Sequence, residues 1–150
     1  MNRPRIWRSA RLAAAWLLVP VVASAVVAAV PSRVMIVRAR ESTAGILDTF
    51  QSAAQAAGLQ CSRPARDGYQ GVICGVPDQT VGHIQAYDLT DKKVVVVQAF
   101  SKNRYYPRGE LDETLATALD SIRNELTASS RAERVDYCLH PDFKSCRLDP

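Results

Sequence analysis

The chain predicts an α+β sandwich, a mainly antiparallel sheet of about four to six strands with two amphipathic helices packed on one face, preceded by an N-terminal export segment. Short runs rich in β-branched residues recur along the sequence, and only two stretches show helical spacing. Most of the strand-like runs follow one another between those two stretches instead of alternating with them, which is the order of an α+β domain and not of a parallel α/β one.

The first segment is for targeting. Arg3, Arg5, Arg8 and Arg11 precede a run over residues 12–30 that carries no charge, and a basic cluster followed by an apolar stretch is an export signal. Residues 12–22 supply the apolar core, Pro20 a helix breaker, and Ala23-Ser24-Ala25 a small-x-small cleavage site, so residues 1–25 read as a signal peptide cut after Ala25. The alternative is an uncleaved membrane anchor, because Val26, Val27, Ala28, Ala29 and Val30 prolong the run to about 19 residues, just enough to span a bilayer. Either way the basic end stays inside and a single domain, residues 32–150, lies beyond the membrane. The expected location is periplasmic or secreted, or else inner-membrane anchored with the domain outside the cytoplasm. The Ala- and Arg-rich composition points to a bacterial cell envelope.

Charge excludes one class of partner. The chain has 19 Lys and Arg against 15 Asp and Glu, but four of those arginines precede residue 12 and no acid precedes Glu41, so the exported part balances 15 against 15. The basic character belongs to the targeting segment, and no nucleic-acid partner is implied.

Within the domain, residues 34–37 (VMIV) predict a first strand. From Ser42 the spacing turns helical, with Ile46, Leu47, Phe50, Ala53, Ala54 and Ala57 on one face, Ser42 or Thr43 at the start and Gly58 at the end. Residues 59–62 and 71–76 flank Arg66-Asp67-Gly68-Tyr69, and Asp-Gly is a hairpin signal because Gly accepts positive φ. Residues 83–89 form the next strand and lead through Thr90-Asp91-Lys92-Lys93 to residues 94–100, where four consecutive valines predict a strand covered on both faces. Leu111, Leu115, Leu119, Ile122 and Leu126 mark the second helix, with Glu110, Asp112 and Glu113 expected in its first turn. Residues 134–138 predict a last short strand.

In an oxidising compartment four cysteines read as two disulfides. Cys61 and Cys74 lie on the two arms of the hairpin, and Cys138 and Cys146 bracket a short loop containing Pro141, so the local pairing Cys61–Cys74 and Cys138–Cys146 is expected. Loop entropy assigns roughly 2.5–3 kcal/mol to each local bridge. A zinc site from Cys138, His140 and Cys146 is the alternative, and the lack of a C-x-x-C pair disfavours it, so no metal is expected.

Catalytic patterns are sparse. Gly71-Val72-Ile73-Cys74-Gly75 resembles a nucleophile elbow only until its centre, where Ile73 replaces the nucleophile. His83 and His140, the only histidines, are candidate bases for a small hydrolase, but one falls in an alternating strand and the other beside a cysteine loop. No glycine-rich phosphate loop, H-E-x-x-H or EF-hand loop is present, so no cofactor and no catalytic residue is assigned. The segment Lys102-Asn103-Arg104-Tyr105-Tyr106-Pro107-Arg108 offers the residue types that anchor interfaces, which makes Arg104, Tyr105, Tyr106 and Arg108 the candidate binding residues. The functional expectation is a non-enzymatic exported envelope protein that binds another protein, as an inhibitor, immunity protein or assembly factor. A small periplasmic hydrolase, and a membrane-tethered structural subunit of an envelope complex, are the alternatives.

Overall fold

The structure is a computed structural model that describes residues 31–64, 70–102 and 110–139. Its order is β1 (Arg33–Ala39), α1 (Thr43–Ala56), β2 (Gln60–Ser62), β3 (Gly71–Gly75), β4 (Gly82–Leu89), a 3-10 turn (Thr90–Lys92), β5 (Val94–Ser101), α2 (Glu113–Ala128) and β6 (Ala132–Leu139). The six strands form one sheet in the order β2-β3-β4-β5-β1-β6, and every neighbouring pair is antiparallel. The expected α+β architecture with two helices is thus observed. The expected signal peptide or anchor, within residues 1–30, lies outside the described residues.

α1 begins where Ser42 Oγ accepts the backbone N–H of Ala44 at 3.2 Å. It ends in a Schellman motif: Leu59 N–H bonds Ala54 O at 3.0 Å and Gly58 N–H bonds Gln55 O at 2.9 Å. Gly58 takes φ +84° there, which is why a glycine closes this helix. α2 starts later than its leucine spacing suggests. Asp112 is the N-cap, its carboxylate accepting the Thr114 N–H at 2.9 Å, so of the three acids expected in the first turn only Glu113 occupies it. Leu111 precedes the helix yet still packs on the core, because its side chain lies on the line of the buried face.

Alternation along the strands divides the sheet into two faces. Met35 and Val37 of β1, Ile84 and Ala86 of β4, Val95, Val97 and Ala99 of β5, and Val72 and Cys74 of β3 meet Ile46, Leu47, Phe50, Ala53 and Ala54 of α1 and Leu115, Ala118, Leu119, Ile122 and Leu126 of α2. Full burial of each large side chain in this layer contributes about 1.5–3 kcal/mol. On the far face, Ile36, Val94 and Val96 form a second cluster flanked by Val34, Tyr87 and Leu89. All four valines are buried, as expected for a strand covered on both faces. Neither described helix, however, lies over Val94 and Val96.

The hairpin expectation holds at the cysteines. Cys61 and Cys74 stand opposite each other in the β2–β3 ladder, 4.1 Å apart at Cα, and are disulfide-bonded. Cys138 is also disulfide-bonded, with a partner outside the described residues; the expected partner Cys146 lies there too.

Two substitutions test this packing. Gly82 has φ +131°, and a Cβ there would stand 2.1 Å from the Phe100 carbonyl oxygen, so Gly82→Ala is expected to cost at least about 2 kcal/mol in urea denaturation. The Ser101 hydroxyl is buried without a hydrogen-bond partner, so Ser101→Ala is expected to stabilise by about 1 kcal/mol in the same assay.

Candidate interaction surfaces

Among the described residues, one concavity is a groove on the solvent side of the two helices. It has a volume of about 660 Å³ and is lined by Asp48, Thr49, Ser52, Ala53, Ala56 and Ala57 of α1 and its C-cap, by Ser121 and Glu125 of α2, and by Arg131. Its chemistry follows from helical spacing. Residues 49, 53 and 57 sit above one another and residues 48, 52 and 56 form the adjacent row, so beyond Asp48 and Thr49 the α1 wall carries only the small side chains of Ser52, Ala53, Ala56 and Ala57. Small walls leave a space that the facing helix does not fill.

Charges frame the groove. Asp48 bonds Arg63 Nη2 at 2.5 Å, and Arg63 Nε also donates to Gln51 Oε1 at 2.7 Å, which fastens the end of β2 to α1. Both ion-pair partners are exposed, so the bond positions side chains more than it stabilises the fold. Arg131 also lines the groove, and its Nη1 donates to Gly45 O at 3.1 Å. Gly45 permits this approach, since a Cβ there would stand 3.1 Å from Arg131 Cδ. A smaller concavity of about 220 Å³ adjoins it, lined by Arg40, Glu41, Ser42, Gly45, Ser130 and Arg131. Arg40 is held there by Nε donating to Ala132 O at 3.2 Å, and Thr43 Oγ1 donates to Asp88 Oδ2 at 3.2 Å.

The residues singled out by sequence are dispersed. His83 lies on the far face, stacked on Phe100 with ring centroids 4.8 Å apart and an interplanar angle of 19°. Aromatic stacking of this kind is a packing role for the imidazole. Cys74 is fully buried in its disulfide, which removes it as a nucleophile. Arg104, Tyr105, Tyr106 and Arg108 lie outside the described residues, as does His140. The ends of their segment are described: Ser101 is the last residue of β5, and Asp112 caps α2. Among the described residues no group of three or more His, Cys, Asp and Glu side chains could hold a metal, and no helix is long and apolar enough to cross a membrane.

Sequence reasoning did not find the groove. Its signal was present in the exposed Ser52 and Ala56, small residues where a surface helix ordinarily carries long polar ones, but spacing alone does not reveal which helix faces them.

Tyr137 sits at the sheet edge beneath α2, with the Arg123 guanidinium carbon 4.7 Å from its ring centroid. Burial raises its phenol above the ordinary 10.0; Arg33 and Arg123 oppose the rise and Asp120 adds to it. No family model matches the chain, and no curated protein or solved structure matches it.

Because the folded state holds the Tyr137 proton more tightly than the unfolded chain does, this contribution to stability is fully present below about pH 10 and is lost as pH rises through the folded pKa. An ultraviolet phenolate titration should therefore show a late-ionising group that Tyr137→Phe removes, and the variant should lose less stability than the parent in alkali.

Proposed function

We propose that the chain is a non-enzymatic exported protein of the bacterial envelope, acting by binding another protein, and that residues 1–25 are the signal peptide that sends it to the periplasm. The observation that carries this reading is the groove between α1 and α2. Small-molecule sites enclose most of their ligand within apolar walls and a few convergent polar groups. This groove instead lies along two helices, with a wall of alanine and serine side chains and a rim of Asp48, Glu125 and Arg131. A low apolar floor within a charged rim is the pattern of a protein interface.

Two further observations support the reading. The Cys61–Cys74 disulfide is consistent with a location outside the cytoplasm. It also secures β2, a strand of only three residues, to the sheet beside the helix that walls the groove. The second bridge is proposed as Cys138–Cys146. The segment bearing Arg104, Tyr105, Tyr106 and Arg108 is retained as a second contact element, since tyrosine and arginine supply much of the energy of interfaces.

The test is capture of partners from envelope extract by the exported domain, compared with Ser52→Arg and Ala56→Arg. Both positions are exposed on α1, so the substitutions fill the groove and leave the core untouched. Melting should shift by no more than about 0.5 kcal/mol in stability. Affinity for the captured partner should fall at least about tenfold, or 1.4 kcal/mol. Undiminished binding by both folded variants refutes the groove as the contact surface. N-terminal sequencing of the exported protein should begin at Val26.

A further inference from the structure

Arg40 and Arg131 bring two positive charges into one concavity without neutralising them. Backbone pairing sets them side by side, the Arg40 N–H donating to Arg131 O at 2.9 Å. Each guanidinium is then aimed by a main-chain carbonyl. Arg40 Nε donates to Ala132 O at 3.2 Å and Arg131 Nη1 to Gly45 O at 3.1 Å, which leaves the rest of each fork for another acceptor. Among the described residues neither forms an ion pair, whereas Arg63 pairs with Asp48 and Arg134 with Asp136. Glu41 shares the lining of this space of about 220 Å³, so two guanidiniums against one carboxylate leave one positive charge in excess. The charge comes from these side chains and not from the terminus of α1, which Ser42 Oγ already caps.

We propose that this concavity binds a carboxylate, the aspartate or glutamate side chain of the protein segment that occupies the α1–α2 groove, a step that rests on reading that groove as a protein contact. Size limits the ligand. Small-molecule sites hold about 300–1,000 Å³, and this smaller space takes little more than one side chain. Charge selects the group. A carboxylate is planar and singly charged, so it meets an arginine fork with two oxygens and neutralises the one charge in excess, whereas a phosphate dianion exceeds it. Position selects the source. Arg131 lines both the concavity and the groove, so a side chain held there belongs to a segment that continues along Thr49, Ala53 and Ala57. Within the groove Asp48 is already matched by Arg63, and Glu125 repels a further acid. The matching segment therefore carries its acid at the Gly45 end and small or apolar side chains over the next 18 Å or so, the span from Gly45 to Ala57 at about 1.5 Å per residue.

The test titrates the full exported chain with glutamate blocked as its N-acetyl amide, followed by nuclear magnetic resonance at the Nε–H signals of Arg40 and Arg131. Both signals should shift and saturate, and the blocked glutamine analogue at the same concentrations should move neither. Inorganic phosphate should bind more weakly than the glutamate. Arg40→Gln and Arg131→Gln, both at exposed positions, should each weaken the glutamate about threefold or more. They should also weaken a partner captured through the groove at least about fivefold. Ser52→Arg should leave the glutamate titration unchanged, so failure of the groove appears in the partner assay alone and failure of the concavity in the titration. Equal shifts from the glutamine analogue, tighter binding of phosphate, or undiminished glutamate binding in both arginine variants overturns the carboxylate assignment. Undiminished binding of the captured partner by both variants overturns its use of this concavity. Should either variant not fold, the comparison of glutamate, glutamine and phosphate on the unaltered chain decides.

Discussion

The ladder between β1 and β5 holds the architecture together. Six residue pairs, from Arg33 with Ala99 to Arg38 with Val94, join the β2-to-β5 meander to the β1–β6 pair and so make one sheet of two pieces. Its side chains serve both layers. Met35, Val37, Val95 and Val97 carry the helices, while Ile36, Val94 and Val96 form the centre of the far face. A one-residue slip in this register would exchange the two sets, yet both are apolar. The polar markers that fix this register lie at its ends, where Arg38 and Arg33 must reach solvent, while the Gln85–Gln98 amide pair, bonded at 2.9 Å on the far face, marks that of the adjoining β4–β5 ladder.

Against that hydrophobic ladder the ionic contacts are minor. The Arg63–Asp48 and Arg134–Asp136 pairs are largely exposed and contribute at most about 1 kcal/mol each. Covalent bonding is concentrated at the sheet's margins instead. Cys61 and Cys74 fasten the shortest strand at one edge, and Cys138 is bridged on the strand at the other. Edge strands have ladder partners on one side only, so cross-links placed there oppose the opening motions that begin at edges.

Local elements were legible in the sequence because their causes are local. Ser42, the apolar spacing from Ile46 to Ala54, and Gly58 each act within one helix, and all three roles are observed. The pairing of Cys61 with Cys74 followed from their places on two arms of one hairpin. The start of α2 was misplaced because Leu111 satisfies helical periodicity, whereas the backbone begins its helix where the Asp112 carboxylate can satisfy a free N–H. Strand order was not legible. β1 pairs with the two strands most distant from it in the chain, and nothing within a β-branched run states its partner. The groove was hidden for the same reason, since Ala53 and Ala57 count toward an apolar face until α2 is known to lie beside them.

The position of β1 governs the order of assembly. It is the first of the described strands, yet Arg33 pairs with Ala99 and Leu139, residues far later in the chain. The meander from β2 to β5 can close through short-range contacts as it appears, but β1 must wait as an unpaired VMIV segment until β5 and then β6 arrive. Sequence separations of this size make folding slow relative to helix formation, and a waiting β-branched strand is prone to pair with its counterpart on another molecule. The vulnerable species is therefore a chain with its meander closed and its first strand exposed, the intermediate that a holding chaperone would be required to shield.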